Sequence, residues 1–213
     1  MSVHLVKFLI IFALYLVNTS IILIFFFRII SIIINPLVVA PFCFAILTYF
    51  NHTSEKKDLI FFISLIFSNL LPTLTIIYYK HKGKIDSLDA PKKEQRIQLL
   101  AIAATYYAFG FIILEYLGAP PIVRGLMFCY AINTAIVWKI TMYWKISIHM
   151  IGLGGPITAL WLVGHKLPLV MGITIVLVAI SRIILKAHTA TQVIAGTILA
   201  MSLAYIELIL LFL

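Results

Sequence analysis

About eight apolar stretches, each near the length needed to cross a bilayer, follow one another along the chain with short polar or charged breaks between them. They run from Val6 to Phe27, Ile29 to Phe50, Leu59 to Tyr79, Ile97 to Leu117, Ile122 to Trp138, Ile146 to Gly164, Leu167 to Leu185 and Thr189 to Leu213. A spanning helix needs about 20 apolar residues. In hydrocarbon every backbone N–H and C=O must be satisfied within its own segment, which favours helices over strands. The pattern predicts an all-α, polytopic membrane bundle of about eight transmembrane helices, with six as the lower bound, in a single domain over residues 1–213.

The first two stretches are only weakly separated. Between Phe8 and Phe50 the interruptions are Asn18, Arg28 and the Asn35-Pro36 pair. This length fits two spans, with the turn near Arg28 or at Pro36, where a helix normally breaks. The rival reading is a cleaved signal peptide, with Lys7 ahead of the apolar run and Asn18-Thr19-Ser20 as its polar end. No small-x-small cleavage pattern followed by a soluble body supports it.

Composition agrees with the pattern: 63% of residues are hydrophobic and 11% charged, with a mean hydropathy of +1.15. A soluble domain of this length has no interior large enough for so much apolar surface. Cys43 and Cys129 fall inside predicted spans and read as packing residues, since no Cys/His spacing matches a metal site. Gly152, Gly154 and Gly155, and the stripe Gly196, Ala200 and Ala204, predict close helix contacts. Asn69 and Pro72 predict a bend in the third span, and Trp138, Tyr143 and Trp144 an interfacial belt.

The formal net charge is +9, and span parity puts nearly all of the excess on one side. That side carries Arg28, the loop from Lys80 to Arg96, the segment Lys139 to Lys145 and the junction from Arg182 to His188. The other carries Lys7, Lys56, Lys57, Arg124 and Lys166, roughly balanced by Glu55, Asp58, Glu115 and Glu207. Two explanations stand together: a cytoplasmic face under the positive-inside rule, and a pocket for an anion. Glu115, Arg124 and Glu207 are expected to pair with one another.

The same parity brings Arg96, His149, Arg182 and His188 to one side, each at a span end. Two arginines and two histidines at the mouth of a bundle suit phosphoryl transfer without a metal. Guanidinium groups bind phosphate oxygens bidentately and stabilise transition-state charge. One neutral imidazole can attack phosphorus, and a second, protonated, can donate to the leaving oxygen. Axial ligation of a haem by His149 and His188 is the competing use of the pair. His4, His52, His81 and His165 fall at termini or loops, where a solvated histidine needs no function.

These residues resemble the motifs of the type 2 phosphatidic acid phosphatase superfamily, integral-membrane lipid phosphatases whose core is shared with vanadium haloperoxidases and soluble acid phosphatases. Ser181, Arg182 and His188 match its third motif in register, and Val193-Ile-Ala-Gly196 is similar to the usual continuation. Ile146-Ser147-Ile148-His149 resembles the second motif with Ile148 in place of glycine. Arg96 stands for the arginine of the first, whose lysine position holds Asp89 and whose proline position holds Ile97. The resemblance covers residues 86–213 as a phosphatase-like core and leaves the N-terminal spans, residues 1–85, outside it.

The resemblance implies His188 as nucleophile, His149 as general acid, and Arg182, Arg96 and Ser147 as phosphate ligands, with Lys92 and Lys93 one helical turn from Arg96 as further ligands. Gln192 replaces the aspartate that orients the nucleophile. Its amide oxygen can accept the ring N–H but adds no negative charge; Asp86, Asp89 or Glu94 would have to supply that charge instead. The expected substrate is a membrane lipid phosphate or diphosphate whose tail stays in the bilayer. No cofactor, metal or nucleic acid is called for, and the expected location is a prokaryotic cell membrane. The alternative is an inactive relative or a transporter that binds an anionic lipid or phosphate on the same basic pocket.

Overall fold

The computed structural model describes residues 21–50, 55–88 and 90–213. The start of the first apolar run, the signal-peptide reading and any role for Asp89 lie outside the described residues. The architecture is an all-α bundle. Helix α1 covers Ile21–Ile33. It is followed by α2 (Pro36–Tyr49), α3 (Lys57–Leu65), a π-helical turn (Ile66–Leu70) and α4 (Leu71–His81). The remaining helices are α5 (Lys93–Tyr116), α6 (Pro121–Tyr143), α7 (Ile148–Leu162), α8 (Pro168–Ile184) and α9 (Ala190–Leu211).

Fewer of these helices are membrane spans than the eight expected. Among the described residues, four segments are long and apolar enough to cross a membrane: Lys57–His81, Lys93–Tyr116, Pro121–Tyr143 and Ala190–Leu211. The bent pair α1 and α2, counted as one, makes five. The difference arises at the turns. Helix α7 has 15 residues and α8 has 17, about 22 and 25 Å at 1.5 Å per residue, against a hydrocarbon core of about 30 Å. Ser147 stops α7 from starting earlier, and Gly164, at φ +96°, closes the turn after it. Pro168 opens α8, and Lys186, at φ +52°, turns the chain away at its far end.

Nor is the N-terminal region a hairpin turning at Arg28, which lies within α1. The chain bends by 41° between α1 and α2. Asn35 caps α2 by accepting the Leu37 N–H at 2.9 Å. Pro36 occupies the first helical position, where its missing N–H costs nothing.

The predicted irregularity at Asn69 and Pro72 is the π turn. A proline ring crowds the carbonyl four residues earlier, here that of Ser68, and widening the preceding turn absorbs the conflict. Asn69 uses its amide to bond the Leu37 carbonyl, which fixes the start of α2 against the middle of the third helical segment.

Small residues set the spacing of α7. A β-carbon on Gly154 would lie 2.6 Å from the Ala200 Cβ, and one on Gly152 would lie 2.5 Å from the Pro36 Cβ. Helix α7 is therefore wedged between α2 and α9 along the glycine and alanine positions, with Gly196, Ala200 and Ala204 all buried. Cys43 and Cys129 are buried free thiols. On the outside, Leu169, Ile173, Ile198 and Leu210 are mostly exposed, the apolar rim that a bilayer would cover. Arg124 pairs with Glu115 at 2.5 Å. Glu207 does not join them: it accepts from Asn133 at 3.3 Å in the interior.

Candidate functional site

At the N-terminal end of α9 the sequence sets Thr189 and Gln192 three residues apart, the spacing of a capping box. Both of its bonds form: the Thr189 hydroxyl accepts the Gln192 N–H, and the Gln192 side-chain oxygen accepts the Thr189 N–H at 3.3 Å. The same oxygen lies 3.0 Å from Nδ1 of His188. An amide oxygen only accepts, so Nδ1 carries the ring hydrogen and Nε2 presents its lone pair. Nη1 of Arg96 donates to that nitrogen at 3.4 Å.

Arg96 arrives from the first turn of α5 and is held by backbone. Nε donates to the Ala90 carbonyl at 2.6 Å, and Nη1 reaches the Ile146 carbonyl at 3.4 Å. Ala90 has a left-handed backbone, at φ +42°, and this turn aims its carbonyl at the guanidinium. Arg182, 2% exposed near the end of α8, donates from Nη1 to the Ser31 hydroxyl at 2.6 Å. Ser31 in turn lies 3.5 Å from Nε2 of His149.

His149 has a second neighbour, the Asn35 amide nitrogen, 3.4 Å from Nε2. The cap bond from the Leu37 N–H fixes which way the Asn35 amide faces, so Asn35 donates and Nε2 of His149 accepts. Ser147 occupies the N-cap position of α7 without a side-chain capping bond and is fully buried. Its N–H donates to the Gln192 carbonyl at 3.4 Å, which joins the Ser-x-His segment to the His-to-Gln segment through the backbone. The Ser147 hydroxyl finds no hydrogen-bond partner among the described residues.

Arg96 and Arg182 line one cavity of about 900 Å³, together with Arg28, Ser31, Asn35, Lys145 and Lys186. The cations grade outward: Arg96 and Arg182 are buried, Lys145 is half-buried, and Arg28 and Lys186 are exposed. Lys145 is anchored by its bond to the Ala187 carbonyl at 2.8 Å. Burial, and then the guanidinium groups of Arg96 and Arg182, lower the pKa of its ammonium. The arrangement attracts anions and has room for a phosphate group.

Of the residues singled out in the sequence, Arg96, Arg182, His149, His188, Gln192 and Ser147 come together. Lys92 and Lys93 do not: Lys92 pairs with Asp86 at 3.0 Å on the surface, and Lys93 reaches the Met142 carbonyl at 3.5 Å. That ion pair also occupies Asp86, whose carboxyl it holds below the usual range. Sequence reasoning missed Ser31 and Asn35 as site residues, and counted Arg28 and Lys145 only as charges. Ser31 and Asn35 sit 118 and 114 positions from His149, and no local spacing signals them.

Burial, reinforced by the nearby Arg96 guanidinium, pushes the His188 imidazole down from 6.5 to about 3. The neutral ring is thus the resting form at neutral pH. Because the folded state disfavours the charged form, stability is fully present above pH 6.5 and is lost as pH falls from there toward about 3. In an NMR titration, His188 should show no protonation step between about pH 5 and 8. Gln192→Asp adds a carboxylate that favours the imidazolium, so the step should move up toward the ordinary histidine range. A wild-type ring titrating near 6.5 would contradict this electrostatic account.

Compared with protein-family models, curated proteins and solved structures, the chain matches none of them.

Proposed function

We propose that the protein is a metal-independent phosphatase for a membrane lipid phosphate or diphosphate, working through a phosphohistidine on His188. One observation carries this reading: a neutral imidazole with a fixed tautomer touches Arg96, which together with Arg182 faces a single basic cavity. The entering phosphate draws the guanidinium groups onto its oxygens. Arg96 then yields Nε2 of His188 to phosphorus, the bond from phosphorus to the leaving oxygen breaks, and His149 protonates that oxygen. In the second half water attacks phosphorus while giving a proton to the now neutral His149, and the bond from phosphorus to Nε2 of His188 breaks, which releases inorganic phosphate and restores both rings. Since Nε2 of His149 accepts from Asn35, protonating that nitrogen requires the Asn35 amide to move aside.

A second reading has its own support in Gln192. Its oxygen serves both the helix cap and His188 and contributes no negative charge to a developing imidazolium. An anion-binding protein without turnover would need nothing more. Phosphate release from a panel of lipid phosphates in detergent, with EDTA present, separates the two. Release that persists under EDTA and is blocked by vanadate is expected. Vanadate binding with no release from any member of the panel would overturn the enzyme reading and leave the anion binder.

A further inference from the structure

Between α2, the π turn, α5, α6 and α7 the bundle holds an internal cavity of about 80 Å³. None of the described residues on its wall is exposed. Three polar atoms of that wall are buried without a hydrogen-bond partner among the described residues: the Ser68 hydroxyl, the Tyr130 hydroxyl and Oδ1 of Asn133. Ser68 is 2% exposed and Asn133 6%. Each unbonded buried oxygen is costly, and three of them around one space point to a partner that they share.

Size and chemistry say what that partner is. A water molecule takes about 30 Å³ in the liquid, so the cavity has room for about two or three. Among the described residues no charged side chain lines it, which suits a neutral ligand. Hydroxyls of serine and tyrosine both donate and accept, whereas an amide oxygen only accepts. Water meets all three, and an apolar occupant would leave all three unbonded. The Asn133 amide is oriented by its other end: Nδ2 donates to Glu207 at 3.3 Å, which leaves Oδ1 for the cavity.

We propose that this cavity is a binding site for a cluster of two or three ordered waters, which bond Ser68, Tyr130 and Asn133 and thereby tie the π turn to α6. Surrounding hydrocarbon offers these atoms no alternative partner. The cluster continues the Asn133–Glu207 pair into the interior of the bundle. It reaches Tyr107, which also stands on the wall of the neighbouring hollow bordered by His149 and Arg96. The inference is independent of the phosphatase reading.

The sign of one stability change tests it. Tyr130→Phe removes the hydroxyl and keeps the ring, whose centroid lies 5.9 Å from that of Phe44 and 5.4 Å from that of Tyr107. With water bound, the variant loses a hydrogen bond, and its melting temperature in detergent should fall by about 2–4 °C. A dry cavity predicts the opposite sign, because removing an unbonded buried hydroxyl relieves its desolvation. An unchanged or higher melting temperature overturns the proposal.

A second measurement needs no variant. X-ray radiolysis turns bound water into hydroxyl radicals where it sits, and mass spectrometry then finds the side chains they oxidise. Tyr130 should be modified as a surface tyrosine such as Tyr116 is, while Met127, fully buried and off the cavity wall, stays unmodified. Tyr130 as inert as Met127 overturns the water site. Neither measurement depends on turnover, so absence of phosphate release from every lipid phosphate would sink the phosphatase reading and leave this inference standing.

Discussion

His188→Ala should reduce phosphate release from a lipid phosphate at least about a thousandfold, since removal of an attacking side chain elsewhere costs three to six orders of magnitude. The fold should survive the change. Arg96 keeps its bonds to the carbonyls of Ala90 and Ile146, and Gln192 keeps its cap bond to the Thr189 N–H. The cost in stability is that of one lost buried hydrogen-bonded group, on the order of 1–3 kcal/mol. Circular dichroism and size-exclusion chromatography check the fold. Rapid quenching with labelled substrate should trap an acid-labile phosphoryl adduct in the wild type and none in the variant. Undiminished release by His188→Ala would remove the phosphohistidine mechanism.

Arg182→Lys is expected to lower kcat/KM by about a hundredfold, the scale for losing one preorganised donor to a developing oxyanion. The exchange keeps the charge and removes the planar fork. Arg182 is nearly inaccessible and spends Nη1 on Ser31 at 2.6 Å. A lysine ammonium, a single point of charge, cannot both hold Ser31 and present two parallel N–H groups to phosphate. Ser31 then loses the contact that keeps it beside His149, so acid catalysis should weaken along with binding. Vanadate affinity should fall with turnover. If both stay within a factor of two of wild type, Arg182 is a structural cation and the cavity binds its anion elsewhere.

The helical class was legible because hydrocarbon leaves a chain few alternatives, and apolar runs are easy to see. Span number was less legible. Hydropathy marks apolar residues, whereas the length of α7 and α8 depends on where Ser147, Gly164, Pro168 and Lys186 turn the chain. The corner between α8 and α9 could be read from sequence, since Arg182, His188 and Gln192 lie within three turns' length and their spacing is nearly local. The α1–α2 contribution could not. Ser31 and Asn35 reach the site from the last turns of α1 and the 41° bend that follows it, and isolated polar residues in an apolar run carry no mark of such a partner. Lys92 was misjudged for the opposite reason: helical spacing placed it near Arg96, but Asp86 offered a nearer charge.

The double use of the Gln192 oxygen couples folding to chemistry at one atom. Each time the first turn of α9 frays, the imidazole loses its anchor along with the helix. Warming should therefore silence the protein well before the bundle melts, and a tighter beginning to that helix should raise the temperature at which it still works.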